Sequence, residues 1–204
     1  GEQKLYLINR HPLTIIFGHL TLFIYWLNLK SFIQSPKKHM DSFAALFLHG
    51  ASAVAILYFS GFETFVFAWW IPYSLAFGIG SYLFYSQHNF PSAQFRETHD
   101  WKYEAAALES TSFMEMHPLL HWMTGNIGYH HVHHLNSRIP FYRLPEAMKM
   151  MPELQDVATT SWNPMEIIRC FSVKLWDVKR NKMVTMKEAK VNELKPGLSL
   201  ALQL

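Results

Sequence analysis

Residues 43–59, FAALFLHGASAVAILYF, and residues 64–85, TFVFAWWIPYSLAFGIGSYLFY, are two uncharged apolar runs separated only by Ser60-Gly61-Phe62-Glu63. About 20 mostly apolar residues suffice for a helix to cross the hydrocarbon of a bilayer. Two such runs around a tight turn predict a membrane helical hairpin over residues 42–87. Gly78 and Gly80, late in the second run, are expected where helices pack closely. Lys37 and Lys38, in the Pro36-containing loop before the first run, mark the cytoplasmic side. The hairpin returns the chain to that side, so His88 stands where the second run leaves the membrane.

Upstream, residues 1–41 read as a short polar lead, then an apolar segment over 13–33 and the lysine loop. The segment over 13–33 fits a spanning helix, an interfacial helix or a re-entrant turn, with Phe23, Tyr25, Trp26 and Lys30 suited to a membrane surface. Downstream, residues 88–204 become polar and helix-capable, which predicts a cytoplasmic helical cap. Thr98-His99-Asp100 is read as the cap of a helix from Trp101, with helical character over residues 103–116. His117-Pro118 breaks that helix. A short helix is expected over residues 144–148, and the alternation over 171–176 is strand-like. The predicted class is all-α, an integral membrane hairpin with a cytoplasmic cap.

Half of the 204 residues are hydrophobic and 16% are aromatic, which is rich for a water-soluble protein. A net charge of +3 without a basic stripe excludes nucleic acid as a partner. Cys170 is the sole cysteine, so there is no intramolecular disulfide and no thiolate metal site; it is expected to be a small buried side chain. The chain starts at Gly1 and carries no secretory or lipidation signal, as a piece of a longer protein would.

The chemistry concentrates in Tyr129-His130-His131-Val132-His133-His134-Leu135. His130, His133 and His134 stand at i, i+3 and i+4, so on a helix their rings fan over roughly 100° of one face. Neutral imidazole is a ligand of iron, zinc and copper, and packing alone does not explain such crowding. His130, His133 and His134, with His88 brought over from the membrane exit, are the expected metal ligands. His131 and Asn126 are expected to support them from behind. Nothing here matches the Glu-x-x-His pairs of soluble di-iron bundles.

Gly125-Asn126-Ile127-Gly128, then His130-x-x-His133-His134, then Leu135-Asn136-Ser137-Arg138-Ile139-Pro140-x-Tyr142-x-Leu144, resembles the third histidine box of membrane fatty-acid desaturases of the acyl-lipid type. Gln87-His88 resembles that family's additional histidine. The resemblance runs from about Leu5 to near the C-terminus. It implies two irons held by three boxes plus the extra histidine. With O2 and two electrons from a ferredoxin-like or cytochrome donor, such an enzyme removes two hydrogens from a fatty acyl chain of a membrane lipid. The first and second boxes do not occur here. The resemblance therefore implies a C-terminal portion, inactive by itself.

Two other readings compete: a hydroxylase or ketolase of the same superfamily acting on carotenoid, sterol or alkane, and a non-catalytic membrane protein that binds zinc. His49 and His19 are expected to hydrogen-bond between helices. His11, His39, His99, His117 and His121 read as surface or turn residues, and Glu104, Glu109 and Glu115 as a solvated helix face. Phe62, Trp69 and Trp70 are candidates for enclosing an apolar tail. Tyr142 and Arg138 are candidates for meeting a lipid head group or the electron donor.

Overall fold

The computed structural model describes residues 2–96 and 99–193. Its helices are α1 (Glu2–Asn9), α2 (Pro12–Ile16), α3 (Ser31–Gln34), α4 (Met40–Phe65), α5 (Ile71–Ser86), α6 (Tyr103–Glu109), α7 (Pro118–Met123), α8 (His130–Leu135), α9 (Leu144–Met150), α10 (Pro164–Ser172) and α11 (Met186–Glu193), with π-helical stretches at His19–Lys30 and Val66–Trp70. The expected all-helical class needs one amendment. Strand β1 (Phe113–Glu115) pairs in parallel with β2 (Thr159–Ser161), and β3 (Val173–Asp177) pairs antiparallel with β4 (Lys182–Thr185). The chain divides into two compact units, His11–Tyr82, and Gly1–Arg10 with Leu83–Leu204.

In the unit His11–Tyr82, α4 runs on until Gly61, whose φ of 82° and ψ of 173° are not helical. Glycine tolerates that conformation because it lacks a Cβ. Past Gly61 the chain comes back along α4. Trp69 Nε1 donates to Ser52 Oγ at 3.0 Å, and the Trp69 and Tyr73 rings lie 4.4 and 4.8 Å from that of His49. The segment over 13–33 is helical apart from a turn at Phe17, and it also packs on α4, where Ser42 Oγ meets the Leu27 carbonyl at 3.5 Å. Close approach falls at Gly18 and Gly78. A Cβ on Gly18 would lie 2.5 Å from the Phe77 carbonyl, and one on Gly78 2.8 Å from that of Ile16. Gly80 meets nothing within 4 Å, so the packing role expected of it belongs to Gly18 instead.

This unit is inverted relative to a water-soluble domain. His19, Asn28, Ser42 and His49 are buried, while Phe47, Val54, Phe59 and Phe67 are more than 60% exposed. The stretch Met40–Ser86 is long and apolar enough to cross a membrane, and 11% of its most apolar window is buried.

The other unit has ordinary apolar cores. Phe90, Ala93, Cys170, Val173, Trp176 and Met183 form one, and Tyr6, Leu175, Val184 and Ala189 another. Tyr6 brings α1 onto the β3–β4 pair, so the polar lead of the chain is packed. Cys170 is buried as expected, its thiol pushed up to about 12 by burial and then by the Glu166 charge. The helix expected over 103–116 stops at Glu109. Ser110 Oγ donates to the Ala106 carbonyl and Thr111 Oγ1 to that of Ala107, hydroxyl bonds that compete with helix continuation. The expected cap also differs: α6 starts after Lys102, which makes no side-chain cap bond. Thr98 lies outside the described residues.

Candidate metal centre

The left-handed pair Gly125 (φ 61°) and Asn126 (φ 55°) ends the path out of α7 and aims the chain into a 3-10 turn, Ile127–Tyr129, that leads directly into α8. Asn126 Nδ2 donates to the Phe141 carbonyl at 3.0 Å, closing this turn against the segment that follows the box. Gly128 has no room for a side chain. A Cβ there would sit 2.4 Å from His121 Cε1 and 2.7 Å from the Met114 carbonyl. His121 is therefore a buried wedge under the turn, not the surface residue expected, because the exposed face of α7 is its apolar one: Leu119, Trp122 and Met123 point outward.

His88 is fixed by its neighbours. Gln87 and Asn89 are both buried. Gln87 Nε2 donates to the Ile127 carbonyl at 2.8 Å, and the Gln87 carbonyl accepts from Ser112 N–H at 3.1 Å. Asn89 Nδ2 lies 2.8 Å from the carbonyls of both Cys170 and Val173, and its Oδ1 accepts from Arg10 Nε at 3.2 Å. Gln87 thus bolts the exit of α5 to the turn that carries the box, and Asn89 ties the same exit to the junction of α10 and β3.

The result is a convergence of three imidazoles. His130 Nε2 lies 2.8 Å from His88 Nε2 and 3.1 Å from His134 Nε2. The ligand atoms of His88, His130 and His134 all fall within 4.8 Å of one another, and among the described residues this group contains no carboxylate. Phe84 meets His88 and His130 edge-on, at 5.3 and 6.0 Å between centroids. His133 is left outside. Its ring stacks 5.9 Å from that of His130 and lines a cavity of about 340 Å³ with Ile127, Ile139, Phe141 and Leu144. His131 is buried, with Nε2 3.1 Å from the Leu154 carbonyl, so it ties the box to the Val132, Leu144 and Leu154 core instead of touching the three rings.

Burial sets the protonation. It pulls His130 down to about 2, with the other histidines' charges adding to it. His88 falls to about 4, through burial and then His134, and His134 is lowered through burial and then His133. All three rings are neutral at pH 7 and have lone pairs to offer. Protons alone cannot satisfy them: one ring nitrogen has one in-plane direction, yet His130 Nε2 faces two neighbours. A shared cation removes the conflict. Metal–imidazole bonds of about 2.1 Å at right angles place nitrogens about 3.0 Å apart, as found here. His88, His130 and His134 could therefore hold a metal.

The remaining expected residues fall elsewhere. His117 caps α7, accepting from Leu119 N–H at 3.2 Å, and His11 caps α2 likewise. Glu104 and Glu115 are exposed, but Glu115 stands on β1 and Glu109 is engaged by Arg96. Tyr142 and Arg138 are exposed, Phe62 is exposed, and Trp69 is buried against His49. Gln87's clamp and the His121 wedge were missed. The signals for them were a buried-type amide beside a lone histidine and a second glycine three residues after Gly125.

The chain is similar to known proteins. A family model described as fatty acid desaturase matches residues 4–164. A protein named fatty acid desaturase from Bacillus subtilis (strain 168) is 30% identical over 186 residues, which cover 91% of this chain and 52% of the relative. The chain thus spans about half the length of the curated relative it matches.

Proposed function

Since the chain belongs to the fatty acid desaturase family, we propose that it is the histidine-rich C-terminal part of a membrane-bound, O2-dependent acyl-lipid desaturase with a di-iron centre. The observation that carries this reading is the meeting of three neutral Nε2 atoms at His88, His130 and His134. The apolar exterior of α4 and of the returning arm supports a membrane hairpin, with the box on the cytoplasmic side next to the span's exit.

His88, His130 and His134 would hold one side of the metal site, and His133, whose ring faces the adjoining cavity, would serve the second side. When bound, the irons supply the oxidising power to strip hydrogen from an unactivated methylene, which no side chain has. The net reaction takes one hydrogen from each of two adjacent methylenes, adds two electrons and two protons from outside, and reduces O2 to two waters. The electrons come from a ferredoxin-like or cytochrome donor. The protein's part is positional: Gln87 and Asn89 fix His88, Gly128 and His121 fix the turn into α8, and burial keeps His88, His130 and His134 unprotonated. Four imidazoles do not complete a di-iron shell. The reading therefore requires ligands from outside this chain, whose expression alone yields no product.

The test is expression of the full-length protein in a host with defined acyl lipids, with metal analysis and lipid product analysis. Iron at about two per chain and a new double bond are expected. A hydroxylated product without a new double bond would move the assignment to a hydroxylase, and zinc with no oxidised product would move it to a metal-binding membrane protein.

A further inference from the structure

Helix α6 supplies none of the three imidazoles, yet its two ends reach the segments that carry two of them. It lies along α8, and Leu108 packs against the core that Val132 forms with Leu144 and Leu154. At its start, Tyr103 Oη donates to the main-chain carbonyl of His134 at 2.5 Å. Just past its end, Ser112 N–H donates to the carbonyl of Gln87, the residue before His88, at 3.1 Å. One short helix thus braces both partners of His130.

The bond to His134 matters because α8 is short. His130–Leu135 is six residues, well below the length at which a helix holds itself in water. The last four carbonyls of a helix lack partners within it, and in α8 these belong to Val132, His133, His134 and Leu135. Asn136 N–H closes on the Val132 carbonyl at 3.0 Å, and the Tyr103 hydroxyl, 31 residues away in sequence, closes on that of His134. The turn so closed carries the ring whose Nε2 must stay turned to His130 Nε2, 3.1 Å away. We propose that Tyr103 is a positioning residue of the metal centre: a cap lent by α6 that holds the last turn of α8, and His134 with it, in the geometry for coordination. It acts through the main chain and touches no ligand atom. The proposal rests on the reading of His88, His130 and His134 as metal ligands.

The test is Tyr103→Phe in the full-length protein, which removes the hydroxyl and keeps the ring. Ala147→Gly on α9 is the control: it loosens the core beneath α8, where Ala147 packs, without touching either bond of α6. Each purified protein is stripped of metal, checked for folding by thermal unfolding, and titrated with Co2+ against a competing chelator, with the visible spectrum recorded at saturation. Tyr103→Phe is expected to bind Co2+ about 10–100-fold more weakly and to shift the ligand-field bands, while Ala147→Gly keeps the affinity and bands of the unaltered protein. Unchanged affinity or unchanged bands in Tyr103→Phe overturn the proposal and leave the metal reading standing. An equal change in Ala147→Gly also overturns it, because the effect then belongs to general loosening. If the unaltered protein binds no Co2+, the metal reading fails and the proposal with it.

Discussion

The molecule contains two groups of converging histidines that share one short contact and differ in what it can mean. In the unit His11–Tyr82, His19 Nε2 and His49 Nε2 are 2.8 Å apart. In the other unit, His88 Nε2 and His130 Nε2 are also 2.8 Å apart. The first pair is saturated: one ring donates to the other, His19 Nδ1 approaches Ser74 Oγ at 3.4 Å, and aromatic rings of Trp69, Tyr73 and Phe77 enclose it. The second group has a third ring, and both of its contacts fall on one nitrogen. A pair of imidazoles can finish its chemistry with a proton, whereas three converging lone pairs could hold a cation. Site identity thus depends on how many lone pairs converge, and neither burial nor a short N···N distance reveals it.

The sharpest way to break this distinction is to remove the shared nitrogen. His130→Ala in the full-length protein is expected to abolish product and cost more than the about 10–100-fold in metal affinity that loss of an outer contact costs. His49→Ala should leave metal content unchanged. Metal analysis of the two purified variants side by side checks both, and equal metal loss from each would erase the contrast.

Next in size is the amide that holds the cluster together. Gln87→Ala removes the bond to the Ile127 carbonyl without touching a ligand, and is expected to weaken metal binding by about 10–100-fold. Competition with a chelator measures it. If affinity is unchanged, His88 is held by Asn89 and its own backbone alone. Gly128→Ala acts from the other side of the turn. Its Cβ would press on His121 and the Met114 carbonyl, and the expected loss is about 1–3 kcal/mol of stability, read as a lowered unfolding midpoint with the metal site still formed in the folded fraction.

How far the sequence reveals this contrast depends on the range of the interactions. The two apolar runs and the break at Gly61 are local patterns and legible; the helix expected to break at His117-Pro118 ends at Glu109 instead, and of residues 171–176, read as strand-like, Phe171 and Ser172 belong to α10 while β3 begins at Val173. The box was legible for the same reason, since i and i+4 spacing alone brings His130 and His134 together. Helix spacing sets His133 and His134 on opposite flanks of His130, but which flank His88 joins is decided by contacts 40 and more residues long in sequence, and it joins His134. The same range hides the rest. Gln87 reaches Ile127, Asn89 reaches Cys170, and β1 pairs with β2 across 46 residues with three residues each, too few for alternation to stand out. His121 misled because its neighbours Leu119, Trp122 and Met123 are apolar and yet outside, reversing the usual rule for a helix face.

Acidification of metal-free protein sharpens the box end of the contrast. Burial lowers His88 and His131 to about 4, against 6.5 for a free imidazole. Between pH 6.5 and about 4 the unfolded chain therefore binds protons that the folded chain does not. Stability is full above pH 6.5 and falls as the pH drops through that window. Thermal unfolding in chelator is expected to move to lower temperature over that range, and the metal-loaded protein to do so at least as steeply, since bound metal keeps the folded chain from taking up the protons that the unfolded chain binds.

The smallest expected effect lies in the pair that needs no metal. His49→Leu leaves His19 Nε2 without its partner in an apolar surround, while the double variant His19→Leu with His49→Leu leaves no orphan. Hydrogen bonds between membrane helices are typically worth about 0.6–2 kcal/mol by such cycles, so a coupling of that order is expected from unfolding in mild detergent. A buried polar group left alone costs more than a pair removed together. The double variant should consequently be no less stable than the worse single one, with metal content untouched in all three. A coupling near zero would mean that the aromatic rings of Trp69 and Tyr73, packed against His49, hold these helices without the imidazole bond.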